Sequence, residues 1–282
     1  MRWTRGGSSS NVEDRRGMGG GLGGGGMRLG LGGVVVLLVL SVIFKRDLLS
    51  GMMGGQGSPA VSDQSGPYQE TASEAEQRDF VTFVLNDAQQ TWSQIFSQSG
   101  KQYRDARLVL FTDATNSQCG YAQSASGPFY CPGDEAVFID LGFYKELKER
   151  FGAAGDFAQA YVVAHEIGHH VQRLLGIEDQ VRASQQQNPD NANEWSVRLE
   201  LQADCFAGVW GHSTAERNIL EQGDVEEGLN AAAAIGDDRI QRMSGQAVSP
   251  ESFTHGTSAQ RVEWFRRGLT EGKISSCDTY QG

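Results

Sequence analysis

Five consecutive residues constrain this chain more than anything else in it: His165-Glu166-Ile167-Gly168-His169. They lie in a largely apolar stretch, with Tyr161-Val162-Val163-Ala164 before them and His170-Val171 after. The pattern predicts a helix over Phe157–Leu175, closed by Gly176 as its C-cap. On that helix His165 and His169 are four residues apart and share one face. Two imidazoles so placed can bind one tetrahedral zinc ion, and Glu166 beside them is placed to take a proton from water. Burying two histidines and a glutamate among Val, Ile and Ala is costly unless something binds them. The segment therefore points to a metal-dependent hydrolase.

Such a zinc ion needs a third protein ligand. About thirty residues on, Glu194–Trp210 reads as a second helix on which Glu200 and Asp204 share a face. Ala203, Ala207 and Gly208 are small enough to let it approach another helix closely. Glu200 is the expected ligand. Asp204 is expected to accept the far N–H of a ligand histidine, His165, and so fix its tautomer. A metzincin would need Gly three residues after the second histidine and His three further on, but Gln172 and Leu175 stand there. A structural zinc site would want close cysteine pairs, and Cys119, Cys131, Cys205 and Cys277 contain no Cys-x-x-Cys.

His165-Glu166-x-x-His169 followed by Glu200-x-x-x-Asp204 resembles the gluzincin clan of zinc peptidases. Four further features resemble the bacterial neutral zinc metallopeptidase family of YpfJ-type proteins. These are the Gly-rich start with one apolar run, the stretch Gly127-Pro-Phe-Tyr-Cys131-Pro-Gly-Asp134, the two motif helices, and Phe253-Thr-His255-Gly-Thr-Ser-Ala-Gln-Arg261-Val. The resemblance implies a zinc cofactor and a peptidase acting on peptide or protein. It implies an α+β, zincin-like fold: a mainly helical domain with a small β-sheet, after one N-terminal transmembrane helix. In related membrane-associated gluzincins a Thr-His-Pro segment, with Arg six residues after the His, follows the metal helices. Thr254-His255 and Arg261 keep that spacing, with Gly256 in place of Pro. The resemblance thus offers His255 as a donor to the reaction's oxyanion. The alternative is that His255 merely caps a helix over Gly256–Gly268.

The start of the chain reads differently. Residues 1–27 are rich in Gly, Ser and Arg and are expected to form a disordered cytoplasmic tail. Leu29–Phe44 is continuously apolar and would span roughly 24 Å as a helix. Leu48 and Leu49 extend it if Lys45 and Arg46 snorkel. Its length also suits a signal-peptide core, but no small-x-small cleavage site follows it directly. The expected division is a transmembrane signal anchor at 28–49, a linker at 50–72 and a peptidase domain at 73–282. Arginines before the anchor favour a cytoplasmic N-terminus and an extracytoplasmic, periplasmic domain. There the four cysteines could form two disulfides. Cys119–Cys131 with Cys205–Cys277 is one of three connectivities the sequence leaves open. A net charge of −11 argues against nucleic-acid binding.

Within the domain, Ser73 with Glu76 reads as a capping box. It opens a helix striped with Val81, Val84, Leu85, Ala88, Trp92, Ile95 and Phe96. Arg107–Thr112 and Ala136–Leu141 read as strands and Phe143–Phe151 as a short helix. The remainder to Leu269 is mainly helical, and the last dozen residues are expected to be loose apart from Cys277. By resemblance, Ala136–Leu141 would pair with extended substrate, unless it is an interior strand. Two rival functions remain open: a membrane-tethered zinc-binding scaffold with little proteolysis, or a zinc hydrolase of a non-peptide amide. A groove of Trp195, Trp210 and Trp264 would favour the last.

Overall fold

The computed structural model describes residues 1–5, 9–18 and 68–280. The expected anchor at 28–49 and residues 50–67 of the linker lie outside the described residues. Among the described residues no helix is long and apolar enough to cross a membrane.

The described tail, expected to be disordered, is instead built into the domain. Met1 is buried, and its ammonium donates to the carboxylates of Asp156 and Asp224. Trp3 packs edge-on against Phe80, with ring centroids 5.3 Å apart. Val12–Asp14 forms strand β1, and the buried Arg16 bridges Asp14 and Glu70. Low apolar content means this stretch cannot form a core of its own. It can still dock on an existing one when its few apolar side chains and its charges find partners there.

Helix α1 (Ala72–Gln98) starts from a Thr71/Glu74 capping box. Thr71 Oγ1 accepts from the Glu74 amide, and the Glu74 carboxylate accepts from the Thr71 amide. The box is thus two residues ahead of Ser73/Glu76, because Thr71 is where extended backbone turns helical. The apolar stripe of α1 is buried, with Val81, Val84, Leu85, Ala88 and Trp92 fully enclosed.

Strands β2 (Arg107–Phe111), β3 (Ala114–Ser117), β4 (Gly120–Gln123), β5 (Phe129–Cys131) and β6 (Ala136–Asp140) follow. The main sheet has the order β1-β2-β6-β5. β1, β2 and β6 are parallel, and β5 is antiparallel to β6. β3 and β4 form a separate hairpin. β6 is therefore interior, which corrects its assignment as the substrate-pairing strand. Both its edges are taken, and among the described residues β1 and β5 are the edge strands, β5 being the one beside β6. The Cys119–Cys131 disulfide ties β5 to the hairpin turn.

The helices are α2 (Gly142–Glu149), α3 (Asp156–Leu175), α4 (Ile177–Gln187), α5 (Ala192–Glu216), α6 (Asp224–Ala234), α7 (Asp237–Met243) and α8 (Ser258–Glu271). α3 runs through the core between α1, α5 and α6. It ends at Gly176 in the left-handed conformation, as the sequence predicts. α5 carries glycine where neighbours press closest. A Cβ on Gly208 would lie 2.2 Å from the Phe265 carbonyl oxygen of α8. The second disulfide, Cys205–Cys277, pins the C-terminal segment to α5. That segment is not loose: Tyr280 stacks on Trp195, and Thr279 donates to the Arg198 carbonyl.

Candidate active site

α3 and α5 cross where Gly168 faces Ala203. A Cβ at Gly168 would sit 2.9 Å from the Ala203 carbonyl oxygen, so the glycine inside the pentapeptide permits the crossing. About one turn before the crossing and directly after it, the two helices present their polar residues to each other. His165 Nε2 lies 3.2 Å from Glu200 Oε2, and His169 Nε2 lies 3.5 Å from Glu200 Oε1. Ligand atoms of these three residues all fall within 4.8 Å of one another.

The far nitrogens are held as well. His165 Nδ1 donates to Asp204 Oδ1 at 2.9 Å. Asp204 in turn accepts from Arg261 Nε at 2.8 Å and Nη2 at 2.9 Å, and from the Tyr161 hydroxyl. All four groups are buried. Burial works against the charge of Asp204, but the Arg261 guanidinium outweighs it and holds the carboxyl below its usual range. Burial likewise disfavours a charged His165, yet the Asp204 and Glu200 carboxylates push it up to about 10. In Glu200 the desolvation cost is outweighed by His169 and by hydrogen bonds from both histidines. Its pKa falls well below the carboxylate range. Metal-free, the cluster is a network of shared protons. A cation arriving there would displace them.

His170 adjoins His169 in sequence but does a different job. Its Nε2 lies 2.7 Å from the Arg104 carbonyl oxygen, which can only accept, so Nε2 carries the proton. Nδ1 then accepts from the Tyr130 hydroxyl at 2.8 Å. His170 thereby fastens α3 to the edge strand β5, and burial holds it neutral by lowering its pKa.

The cleft above the cluster has a volume of about 1110 Å³. Glu166 lines it, and among the described residues no hydrogen bond or ion pair holds its carboxylate. His255 lines it too, so the sequence-predicted residues His165, Glu166, His169, Glu200 and His255 share one cavity. Asp204 lies behind them, fully buried. Thr257, not His255, caps α8, so the capping role does not fall to His255.

Sequence reading missed Asp237, at the start of α7. Its Oδ1 accepts from His255 Nδ1 at 3.1 Å, and its Oδ2 accepts from the amides of Thr254 and His255 at 2.7 Å each. Nothing local in sequence links residues eighteen apart in this way. The tryptophans do not form a groove: Trp210 is fully buried, Trp195 stacks under Tyr280, and Trp264 packs on Arg267.

Two imidazoles and a carboxylate converging on one point, with a fourth direction open to a cleft, define the class of mononuclear zinc sites that can do chemistry. The chain belongs to the family described as "Putative neutral zinc metallopeptidase", whose model matches residues 1–280. It is 50% identical over 286 residues to the Escherichia coli K12 protein named "Uncharacterized protein YpfJ", covering 99% of each chain. It is 43% identical over 189 residues to the Mycobacterium bovis protein named "Uncharacterized protein Mb2605", covering 63% of each. No solved structure matches it. Zinc is the cofactor this family implies, and the nitrogen, nitrogen, oxygen donor set of His165, His169 and Glu200 fits it.

Proposed function

We propose that the protein is a zinc metalloendopeptidase with a zincin-like site. The observation that carries this reading is the convergence of His165 Nε2, His169 Nε2 and the Glu200 carboxylate beneath the cleft, with Glu166 next to them and without a partner among the described residues. Bound zinc would acidify a water molecule and polarise the scissile carbonyl. Glu166 accepts the proton of the attacking water and delivers it to the leaving amine. His255, held by Asp237 through Nδ1, has Nε2 left to donate to the developing oxyanion. Asp204, clamped by Arg261, keeps His165 in the tautomer that leaves Nε2 free.

Substrate enters along β5. Among the described residues no strand pairs with its outer edge, and Phe129 and Tyr130 line the cleft. An extended peptide can add to that edge through main-chain hydrogen bonds. The cleft exceeds the volume usual for a single small-molecule ligand, which suits a stretch of chain and an endopeptidase. The tryptophan positions favour a peptide over a sugar-bearing amide. Two disulfides suit an oxidising, extracytoplasmic compartment.

The test compares zinc-loaded wild type with Glu166→Gln on a peptide library. The variant is expected to retain zinc and to lose at least about a hundredfold in kcat/KM. Equal cleavage by the two proteins, or no chelator-sensitive cleavage by the wild type, would overturn the reading.

A further inference from the structure

Gln172 stands three residues after His169, and in sequence its only use is to rule out the metzincin pattern. In the structure its amide is fully engaged. Oε1 faces His169 Nδ1 at 2.9 Å, and Nε2 faces both the Leu199 carbonyl at 2.7 Å and Gln202 Oε1 at 3.1 Å. Gln202 Nε2 in turn reaches the Cys277 carbonyl at 2.9 Å. Gln172 and Gln202 are both buried.

The polarity of this chain of bonds follows from its ends. A backbone carbonyl can only accept. The Cys277 carbonyl therefore forces Gln202 to point Nε2 at it, which turns Gln202 Oε1 towards Gln172. The Leu199 carbonyl and Gln202 Oε1 both demand a donor, so Gln172 must present Nε2 to them. Its Oε1 is then the atom that faces His169, and His169 must carry a proton on Nδ1. That leaves Nε2, the atom beside Glu200, as the nitrogen free to bind a metal.

We propose that Gln172 is the positioning residue for His169, as Asp204 is for His165, and that Gln202 and the Cys277 carbonyl fix its orientation. The inference rests on the zinc reading of the site. It also gives the Cys205–Cys277 disulfide a place in that site, because the disulfide holds Cys277 where the relay ends. A neutral amide suits this position. The carboxylates of Glu200 and Asp204 already bring negative charge, whereas Gln172 orients its histidine without adding any.

The test uses the full chain and two readouts. Gln172→Met keeps side-chain volume but removes both the acceptor and the donors. Its zinc dissociation constant, measured by competition with a chromophoric chelator, is expected to rise about 10–100-fold over the wild type. A change under about threefold would overturn the proposal. The second readout is ring-proton NMR of His169 in the wild type, metal-free and zinc-loaded. A slowly exchanging Nδ1 proton is expected in both forms. A proton on Nε2 alone, or an Nδ1 proton exchanging at the solvent rate, would overturn the proposal. This second readout decides the matter if the methionine variant does not fold. Should the wild type bind no zinc, the metal reading fails, while the metal-free spectrum still tests the relay by itself.

Discussion

At the scale of single residues, proton positions decide what the site can do. Asp204 and Asp237 each hold a histidine by Nδ1, and so point the Nε2 atoms of His165 and His255 into the cleft. His255 illustrates the consequence for pH. Partial desolvation in the cleft opposes its charge, though the side chain stays half exposed; in the metal-free site the hydrogen bond to Asp237 and the nearby Glu200 charge raise its pKa above the usual histidine value. With Nδ1–H committed to Asp237, Nε2 can donate only in the imidazolium form. That form is present at low pH and is lost as pH rises through the raised value. The alkaline limb of kcat/KM should therefore report His255, and Asp237→Asn should move that limb to lower pH. An unchanged limb in a pH–rate profile would contradict the assignment. His255→Ala should lower kcat by about a hundredfold while leaving zinc affinity near that of the wild type. The histidine pair and its glutamate were legible in sequence because helical spacing alone puts them on one face. Asp237 and Gln172 were not: the orientation of Gln172 is set by Leu199 and Gln202 across the α3–α5 contact, and Asp237 meets His255 only where α7 packs beside the segment leading into α8. The role of His170 was not legible either: only the Arg104 carbonyl, 66 residues away in sequence, decides which of its nitrogens is protonated.

At the scale of elements, the site depends on how closely two helices cross. Gly168 on α3, pressed against Ala203 of α5, sets that separation, while Gly208 does the same for α5 against α8. Gly168→Ala would bring a Cβ to 2.9 Å from the Ala203 carbonyl oxygen and 3.1 Å from its Cα. Backbone cannot yield as a flexible side chain does. The substitution should cost about 1–3 kcal/mol. Because His165 and His169 flank the crossing, zinc should bind more weakly as well. Thermal melts of the metal-free protein check the first effect and chelator competition the second; an unaltered melting temperature would show that the helices have room to spare. The first long helix, the first metal helix and both central strands were legible to within a residue or two, whereas α5 runs six residues past the expected end at Trp210 and α4, α6 and α7 were read only as a mainly helical stretch. The sheet order was not. Ala136–Leu141 is apolar on both sides, as a doubly paired strand should be. The three-residue strand β5 that takes the free edge is too short to show alternation in sequence.

At the scale of the whole molecule, the first eighteen residues alter the expected arrangement. Composition marked them as a tail, yet their described part crosses α1, adds a parallel strand to the sheet and returns to the start of the domain. Gly17 lies so close to Tyr68 that a Cβ on the glycine would fall 2.1 Å from the tyrosine Cβ, and the Arg16 guanidinium lies over the Tyr68 ring. This packing and a single membrane crossing that parts the tail from the domain exclude one another. Residues 1–5, 9–18 and 68–280 should therefore lie on the same side of any membrane. Ser10→Cys and Ser97→Cys, both at exposed positions, offer the check, because all four native cysteines are disulfide-bonded. A membrane-impermeant maleimide should label both variants from the same side, and protection of one but not the other would contradict the packing. The charge of the tail was legible in sequence; its partners, Glu70, Asp156 and Asp224, were not, because they come from three distant stretches of chain. All of this chemistry depends on one metal held by three side chains. Zinc-edge X-ray absorption of the purified full chain tests that most directly. The predicted spectrum shows one zinc with two imidazole nitrogens and carboxylate or water oxygen at about 2.0–2.2 Å. Sulfur at about 2.3 Å, or a spectrum unchanged by Glu200→Ala, would contradict it.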